Sequence, residues 1–599
     1  MILKPASLPV VDRRALLRGA GLTGGALALS AWMPAWAQPV SRGIARPVPE
    51  LSGNMIALRV AHEMIQVDGR QAHAIAMNGT VPAPLLRLQE GQTVRIRVDN
   101  ALDEETSVHW HGLLVPFQMD GVPGLSFPGI KARSSFTYEF PVEQSGTYWY
   151  HSHSGLQEAM GHYGPIVIDP KGADPIAYDR EHVVVFSDHS FVHPHTLFTK
   201  LKQESGYYNR QKQTLAGLMA GRDQSHADRL AWARMRMDPT DILDVTGAAY
   251  TYVINGYGPN DNWTALFRPG ERVRLRFINA AAMTIFNVRI PGLQMMVVAA
   301  DGLPVRPVPV DELQMTIAET YDVIVTPTED RAYTIVGEAG DRSGMARATL
   351  APREGMVGDV PPLRERPLLT MKDMGMGAMD APAGQSDHAG HDMAGMDMPA
   401  SETSAVSTDH GASGHAMKMR DGANAPQVVL GPGVQTIAPM PVDRTAEPGV
   451  GLENAGHKVL VYRDLVALER NPDVRRADRE IELHLTGNME RYMWSIDGQT
   501  LSEAKTPIPL RTGERVRMTL INDTMMNHPI HLHGHFFELV TGHGDHSPRK
   551  HTVNVPPGGK VSFDVTGIYG DWAFHCHMFL HMHAGMMRVV QVRGTGEAA

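Results

Sequence analysis

Cysteine is almost absent: the 599 residues include one, Cys576. A lone cysteine excludes internal disulfides, so Cys576 is either a spare thiol or a metal ligand. Positive charge is in deficit as well, with 55 Lys and Arg against 65 Asp and Glu and a formal net charge of -10. No basic surplus exists to hold phosphates, which excludes nucleic acid as an expected partner. Long apolar runs are missing too, and no stretch reaches the ~18 unbroken apolar residues of a stable membrane span. The surplus lies in 29 His and 35 Met, side chains that bind soft and borderline metals. The length suits three or four domains.

The first residues carry Arg13-Arg14, then Ala15-Leu16-Leu17, a mild Gly/Ala/Leu run and Ala35-Trp36-Ala37. This has the form of a twin-arginine export signal over residues 1–37, and the expected location is the periplasm.

A repeat follows. Gly91-Gln-Thr-Val-Arg-Ile-Arg-Val-Asp-Asn100, Gly270-Glu-Arg-Val-Arg-Leu-Arg-Phe-Ile-Asn279 and Gly513-Glu-Arg-Val-Arg-Met-Thr-Leu-Ile-Asn522 share one template. Each alternates apolar and polar residues after a glycine turn, as a half-buried strand does. Asn78-Gly79, Asn255-Gly256 and Asp497-Gly498 supply a hairpin turn ahead of each copy. Three related β domains are expected: 45–172, 173–360 and 426–596. The second interval between copies is longer than the first, which places an insertion at 361–425. From about 371 to 419 it holds no aromatic residue and little to bury, so it is expected to be mobile. Its methionines (Met371, Met374, Met376, Met379, Met393, Met396, Met398, Met417, Met419), with His388, His391, His410 and His415, suit Cu(I), which thioethers select.

The chemistry lies in four motifs. The first domain has His109-Trp110-His111-Gly112 and, after Gly146-Thr-Tyr-Trp-Tyr, His151-Ser152-His153. The third has His528-Pro-Ile-His531-Leu-His533-Gly534 and, after Gly570-Asp-Trp-Ala-Phe, His575-Cys576-His577-Met-Phe-Leu-His581. Alternation along a strand points both imidazoles of a His-x-His pair to one side. Four such pairs from two homologous domains make one metal cluster where the domains meet, with Gly112 and Gly534 permitting close backbone approach. The same alternation turns Cys576 away from His575 and His577. His528 differs in parity from His531 and His533 and can reach that far side, with His581 and Met586 following. Two imidazoles, a thiolate and a weak thioether make a blue-copper electron-transfer site, joined to the cluster through the peptide chain.

These motifs resemble those of the multicopper oxidases. The wider context, Asn255-Gly256 through Asn260-Asp-Asn-Trp263, Glu319-Thr-Tyr-Asp322, Glu490-Arg-Tyr-Met-Trp494 and the Met-rich insertion, resembles the bacterial periplasmic copper-resistance protein A branch. The resemblance implies an all-β fold of three cupredoxin-like Greek-key sandwich or barrel domains with a disordered Met/His-rich insertion between the second and third. It implies four copper ions: one type 1 on His528, Cys576, His581 and Met586, one type 2 on His109 and His531, and two type 3 on His111, His151, His153, His533, His575 and His577. Asp120 stands where many members keep an acid that delivers protons to the cluster. Met582 stands where several have a glutamate, which leaves a second proton route in doubt. The middle domain has no histidine between Tyr250 and Leu350 and is expected to be structural.

The expected function is oxidation of Cu(I) to Cu(II) in copper resistance, coupled to four-electron reduction of dioxygen to water. Phenolic donors and periplasmic copper carriers are further candidate partners. The alternatives are a laccase-like phenol oxidase and a copper-sequestering protein. His193, His195, His535, His543, His546 and His583 lack the repeated context and are expected at the surface or behind the ligands.

Overall fold

The computed structural model describes residues 46–376 and 419–594. The expected export signal and the histidines His388, His391, His410 and His415 lie outside them, as do Met379, Met393, Met396, Met398 and Met417.

The repeated template forms a strand each time: Thr93–Asn100, Val273–Asn279 and Arg515–Asn522. Each pairs parallel with a preceding long strand and antiparallel with a following one. The turns ahead of them are left-handed at both central residues, Asn78 and Gly79, Asn255 and Gly256, Asp497 and Gly498. That conformation matches the twist of a hairpin and suits these residue types.

Six sheets lie two to each third of the chain, within residues 50–169, 180–351 and 442–593. The fold is all-β in class, and one sheet in each third repeats a single arrangement. In the first, Leu85–Gln89 pairs parallel with Tyr163–Asp169, which pairs antiparallel with Gly146–His151, which pairs antiparallel with His109–His111. In the last, Ile508–Arg511, Met587–Arg593, Gly570–Cys576 and His528–Leu532 follow the same order and directions. The middle copy runs Thr264–Leu266, Met345–Ala351, Tyr333–Ala339 and Phe286–Arg289. Where the outer copies carry histidine, it buries Phe286, Asn287 and Val288.

Two features depart from the expectation. Between strands Arg180–Ser190 and Tyr250–Ile254 the middle region carries the helices Pro194–Gln203, Leu215–Met219 and His226–Met235, which the strand repeats do not announce. The ends of the stretch expected to be mobile are built into the protein. Met371–Met374 forms a turn of 3-10 helix in which Asp373 bonds the backbone and hydroxyl of Thr370. Arg444 pairs with the buried Asp373 at 2.7 Å, Met374 is buried, and the Ile437 amide donates to the Met419 carbonyl. One buried carboxylate with two anchoring partners orders a segment whose composition alone reads as linker.

Candidate metal centre

Strand register assembles the first cluster. His109 lies opposite His151 across one ladder, and His531 opposite His575 across its counterpart. The two sheets face each other closely enough that His109 stacks on His533 and His111 on His531, each pair at 3.8 Å between ring centroids. The ligand nitrogens of His109, His531 and His533 lie within 4.8 Å of one another, as do those of His109, His111 and His151, and of His153, His533 and His575. His577 joins them, 5.0 Å from His111 and 5.1 Å from His151 by ring centroid. All eight predicted imidazoles therefore meet in one place. The close approach depends on glycine: at Gly112, with φ of +81°, a Cβ would lie 2.5 Å from the His551 ring. At Gly534 it would lie 2.1 Å from Trp572.

The hydrogen bonds divide six of the eight rings into a held nitrogen and one turned to the centre. His109 Nδ1 donates to the Asp120 carbonyl at 2.7 Å, His531 Nδ1 to the His551 carbonyl at 2.7 Å, and His533 Nδ1 to Asp120 Oδ2 at 2.8 Å. His575 Nδ1 donates to the Cys576 carbonyl at 3.0 Å, and His151 Nδ1 reaches Glu158 Oε2 at 2.8 Å. His111 Nε2 faces the Thr552 hydroxyl at 3.1 Å. The opposite nitrogens His109 Nε2, His111 Nδ1, His151 Nε2 and His531 Nε2 are buried without a protein partner, as are His153 Nε2 and both ring nitrogens of His577. Held N–H groups fix the tautomer, so each free nitrogen presents a lone pair to the centre. The arrangement is sharpest where His533 Nε2 and His575 Nε2 face each other at 3.0 Å. Both rings spend their proton on the far side, and two lone pairs so close repel unless a cation sits with them. The site fits metal.

Burial reinforces this. Desolvation, and then the neighbouring imidazoles, hold His111, His153, His531, His533 and His577 well below the usual histidine range. His575 is pushed down to about 3 by burial. Neutral imidazole is the ligand form.

The second cluster lies on the far face of strand Gly570–Cys576. Cys576 Sγ is 3.5 Å from His528 Nδ1 and 3.9 Å from His581 Nδ1, and the two imidazole nitrogens are 3.3 Å apart. The outer nitrogens are held, His528 Nε2 by the Thr524 hydroxyl at 2.8 Å and His581 Nε2 by Asp244 Oδ2 at 2.6 Å. Met586 is fully buried, and its carbonyl accepts from the Cys576 amide. Burial pushes the Cys576 thiol up, so a thiolate there needs a cation beside it. Trp494 stacks on His581 at 3.9 Å.

Three kinds of match now bear on this geometry. Multicopper oxidase family profiles match residues 59–173, 207–354 and 475–595. The chain belongs to the multicopper oxidase family. It is 48% identical to copper resistance protein A of Escherichia coli over 97% of this chain and 99% of that protein. It is 47% identical to a copper resistance protein A homolog of Pseudomonas syringae pv. tomato, with the same two shares. Among solved structures, a laccase from Botrytis aclada aligns with a TM-score of 0.60 at 20% identity, covering 92% of each chain. Fet3p, a multicopper oxidase that functions in iron import, aligns with a TM-score of 0.59 at 19% identity, covering 90% of each chain. These two show the fold. Multicopper oxidases carry four coppers, one of type 1, one of type 2 and two of type 3, and the two clusters offer donors of matching kind.

Three groups in contact with the predicted ligands escaped the sequence reading. Asp244 comes from the middle region and holds both His581 and the Tyr492 hydroxyl, the latter at 3.0 Å. Glu158 is buried beside His151. His551 is fully buried, with its ring 4.8 Å from that of His111. None stands in a repeated motif. Of the histidines set aside, His535 is buried and donates to the His533 carbonyl, standing behind a predicted ligand, while His193 and His195 are exposed.

Proposed function

We propose that this multicopper oxidase serves copper resistance, oxidising Cu(I) to Cu(II) at the Cys576 centre with dioxygen as electron acceptor. His528, Cys576, His581 and Met586 would hold the type 1 copper, and His109 and His531 the type 2 copper. His111, His151, His153, His533, His575 and His577 would hold the type 3 pair. When bound, copper supplies one-electron transfer at the first centre and, at the cluster, four electrons together, enough to take dioxygen to two waters.

The observation that carries the reading is the position of Cys576. Its sulfur faces His528 and His581 on one side of the strand, while His575, the residue bonded to it, turns into the eight-histidine cluster. An electron entering at the sulfur has a covalent path of one peptide unit to a cluster imidazole. Asp120 bridges His109 and His533 from a fully buried position. It fixes both rings, and its carboxyl is the acid we assign to proton delivery. Glu158, beside His151, places a second buried carboxyl at the cluster although position 582 is methionine.

Cu(I) as donor is supported by the copper resistance relatives and by where the insertion leaves the fold. Its two described ends bond one short segment: the Met440 amide donates to the Gly375 carbonyl and the Ile437 amide to that of Met419. Thr436 and Ala438 of the same segment bond Asp523, the residue before the Thr524 that holds His528. The described ends of the insertion are thus anchored on a segment bonded to the residue before Thr524, which supports a role for its Met and His residues in collecting Cu(I) for the electron-entry centre. Twin-arginine export to the periplasm completes the proposal.

Oxygen uptake by the copper-loaded protein, with buffered Cu(I) beside a phenolic donor and Cys576→Ser as blank, tests it. Uptake that favours Cu(I) and vanishes in the blank is expected. Uptake with phenols alone contradicts the proposed donor, and none with either contradicts turnover.

A further inference from the structure

Strand Met55–Val67 is long for its sandwich. Its first half buries Ile56, Leu58 and Val60 in the core of the first domain, but beyond Val60 the same face runs out into solvent as His62, Met64 and Gln66. Its hairpin partner, Arg70–Met77, adds His73. Register places Met64 directly opposite His73 and His62 opposite Ile75, so His62, Met64 and His73 share one face. The His62 and His73 rings lie 4.8 Å apart, and Met64 is 60% exposed.

The hairpin is fixed in place. At its tip, Asp68 accepts from the amides of Asn260 at 2.8 Å and Asp261 at 3.2 Å. The Arg70 guanidinium sits 3.6 Å over the Phe191 ring. These contacts hold it against the segment that leads into His193 and the helix Pro194–Gln203. His193 caps that helix, its Nδ1 accepting from the His195 amide at 3.3 Å, which leaves Nε2 available. The His193 and His195 rings are nearly parallel at 5.4 Å. Burial first, then the charges of His195 and His73, lower the pKa of His193, in keeping with the two pairs facing each other.

We propose that His62, Met64 and His73 form a surface site for Cu(I), with His193 and His195 as further imidazoles at its edge. Cross-strand neighbours on one face of an antiparallel pair bring side chains within chelating reach, and exposed rings reorient on the nanosecond scale. The donors select the ion: imidazole suits copper and zinc, a thioether favours Cu(I), and calcium or magnesium needs carboxylates, where this face adds the amide oxygens of Gln66 and Gln71. The position gives the site a use. Phe198 of the capped helix lies 6.2 Å from Tyr492 by ring centroid, and Tyr492 bonds the Asp244 that holds His581. Copper bound here rests at one end of a helix whose next turn packs on Tyr492, the ring that lies 6.1 Å from His581 of the Cys576 centre. This use rests on Cu(I) being the substrate; the binding itself does not.

The test uses the full-length, copper-loaded protein and Ag(I), a redox-inert ion with the charge and soft-ligand preference of Cu(I). Diethyl pyrocarbonate acylates free imidazole, and mass spectrometry reads each position. Ag(I), raised stepwise to a tenfold excess, is expected to slow labelling of His62 and His73 at least tenfold and to leave the exposed His226 unchanged. Met64→Leu, on an exposed face that tolerates it, is expected to raise the Ag(I) needed by about tenfold. Labelling of His62 and His73 indifferent to Ag(I), or slowed equally by Zn(II) and untouched by Met64→Leu, overturns the site. Cu(I)-driven oxygen uptake on the same samples separates the two claims. Uptake without protection sinks the site and leaves the proposed function; protection without uptake does the reverse.

Discussion

Gly112→Ala probes the contact on which the eight-histidine cluster depends. Gly112 has φ of +81°, and a Cβ there meets His551 Cδ2 and Nε2 at 2.5 Å and Tyr148 Cδ1 at 3.0 Å. The left-handed conformation costs an alanine ~1 kcal/mol. Overpacking adds roughly 1–3 kcal/mol where the neighbour cannot yield. His551 cannot yield freely: it is fully buried and its amide is bonded to Asp301 Oδ2 at 3.1 Å. A loss of about 2–4 kcal/mol follows, which lowers the melting temperature by several degrees at the usual few degrees per kcal/mol. The damage is directional as well. The His551 carbonyl holds His531 Nδ1, so displacing His551 re-aims His531. Calorimetry should show the lower transition, and the type 2 copper signal in electron paramagnetic resonance should weaken while the type 1 absorption persists. A melting temperature within about a degree of wild type together with an unchanged type 2 signal would refute the proposed contact between the outer domains.

Asp120→Asn should keep its copper yet slow reoxidation by dioxygen by about a hundredfold or more, the usual scale of a lost general acid, in stopped-flow after anaerobic reduction; an unchanged rate removes the role. Asp244→Asn takes a negative charge from the His581 hydrogen bond and should raise the type 1 reduction potential by tens of millivolts in a redox titration, so an unchanged potential shows that the carboxylate does not act on that centre. Glu181 ties the first two thirds of the chain together through Arg87 at 2.5 Å and Arg276 at 2.8 Å. Burial would raise its carboxyl, but the charges of Arg276 and Arg87 prevail and lower it from 4.5 to about 2. A lowered pKa means stability present above pH 4.5 that is lost as pH falls toward 2. Glu181→Gln should therefore cost ~1–2 kcal/mol near pH 7, after discounting for partial exposure, and the difference should vanish toward pH 2 in urea melts; a gap constant with pH contradicts this.

Much of the site was legible because strand alternation converts spacing into direction. His109 and His111, or His531 and His533, need only their strand to point together, and the shared lead-ins Gly146-Thr-Tyr-Trp-Tyr and Gly570-Asp-Trp-Ala-Phe mark the outer copies as equivalent. Asp244, Glu158 and His551 were not legible, since each reaches the centres through tertiary packing from a stretch without periodic signal. Asp244 is 337 residues from the His581 it holds. Glu319 shows the same limit. Its motif stood out, but only the fold reveals that it takes the Tyr462 hydroxyl at 2.7 Å and the buried Lys550 ammonium at 3.1 Å. The helices within 194–235 were hidden because a short amphipathic helix inserted into a β domain leaves the strand repeats on either side intact. The order at the ends of the insertion is not legible in the sequence because a composition poor in apolar residues conceals a single well-partnered carboxylate such as Asp373.

Two separate donor sets, joined through Cys576, would hold the four coppers of the family. Metal analysis with electron paramagnetic resonance on wild type and Cys576→Ser tests it most directly, in protein lacking residues 377–418 so that the insertion adds no copper. Four coppers are expected in wild type and one fewer in the variant, with the type 1 signal gone and the type 2 signal unchanged. A variant that keeps four coppers and its type 1 signal, or one that loses the type 2 signal as well, contradicts it.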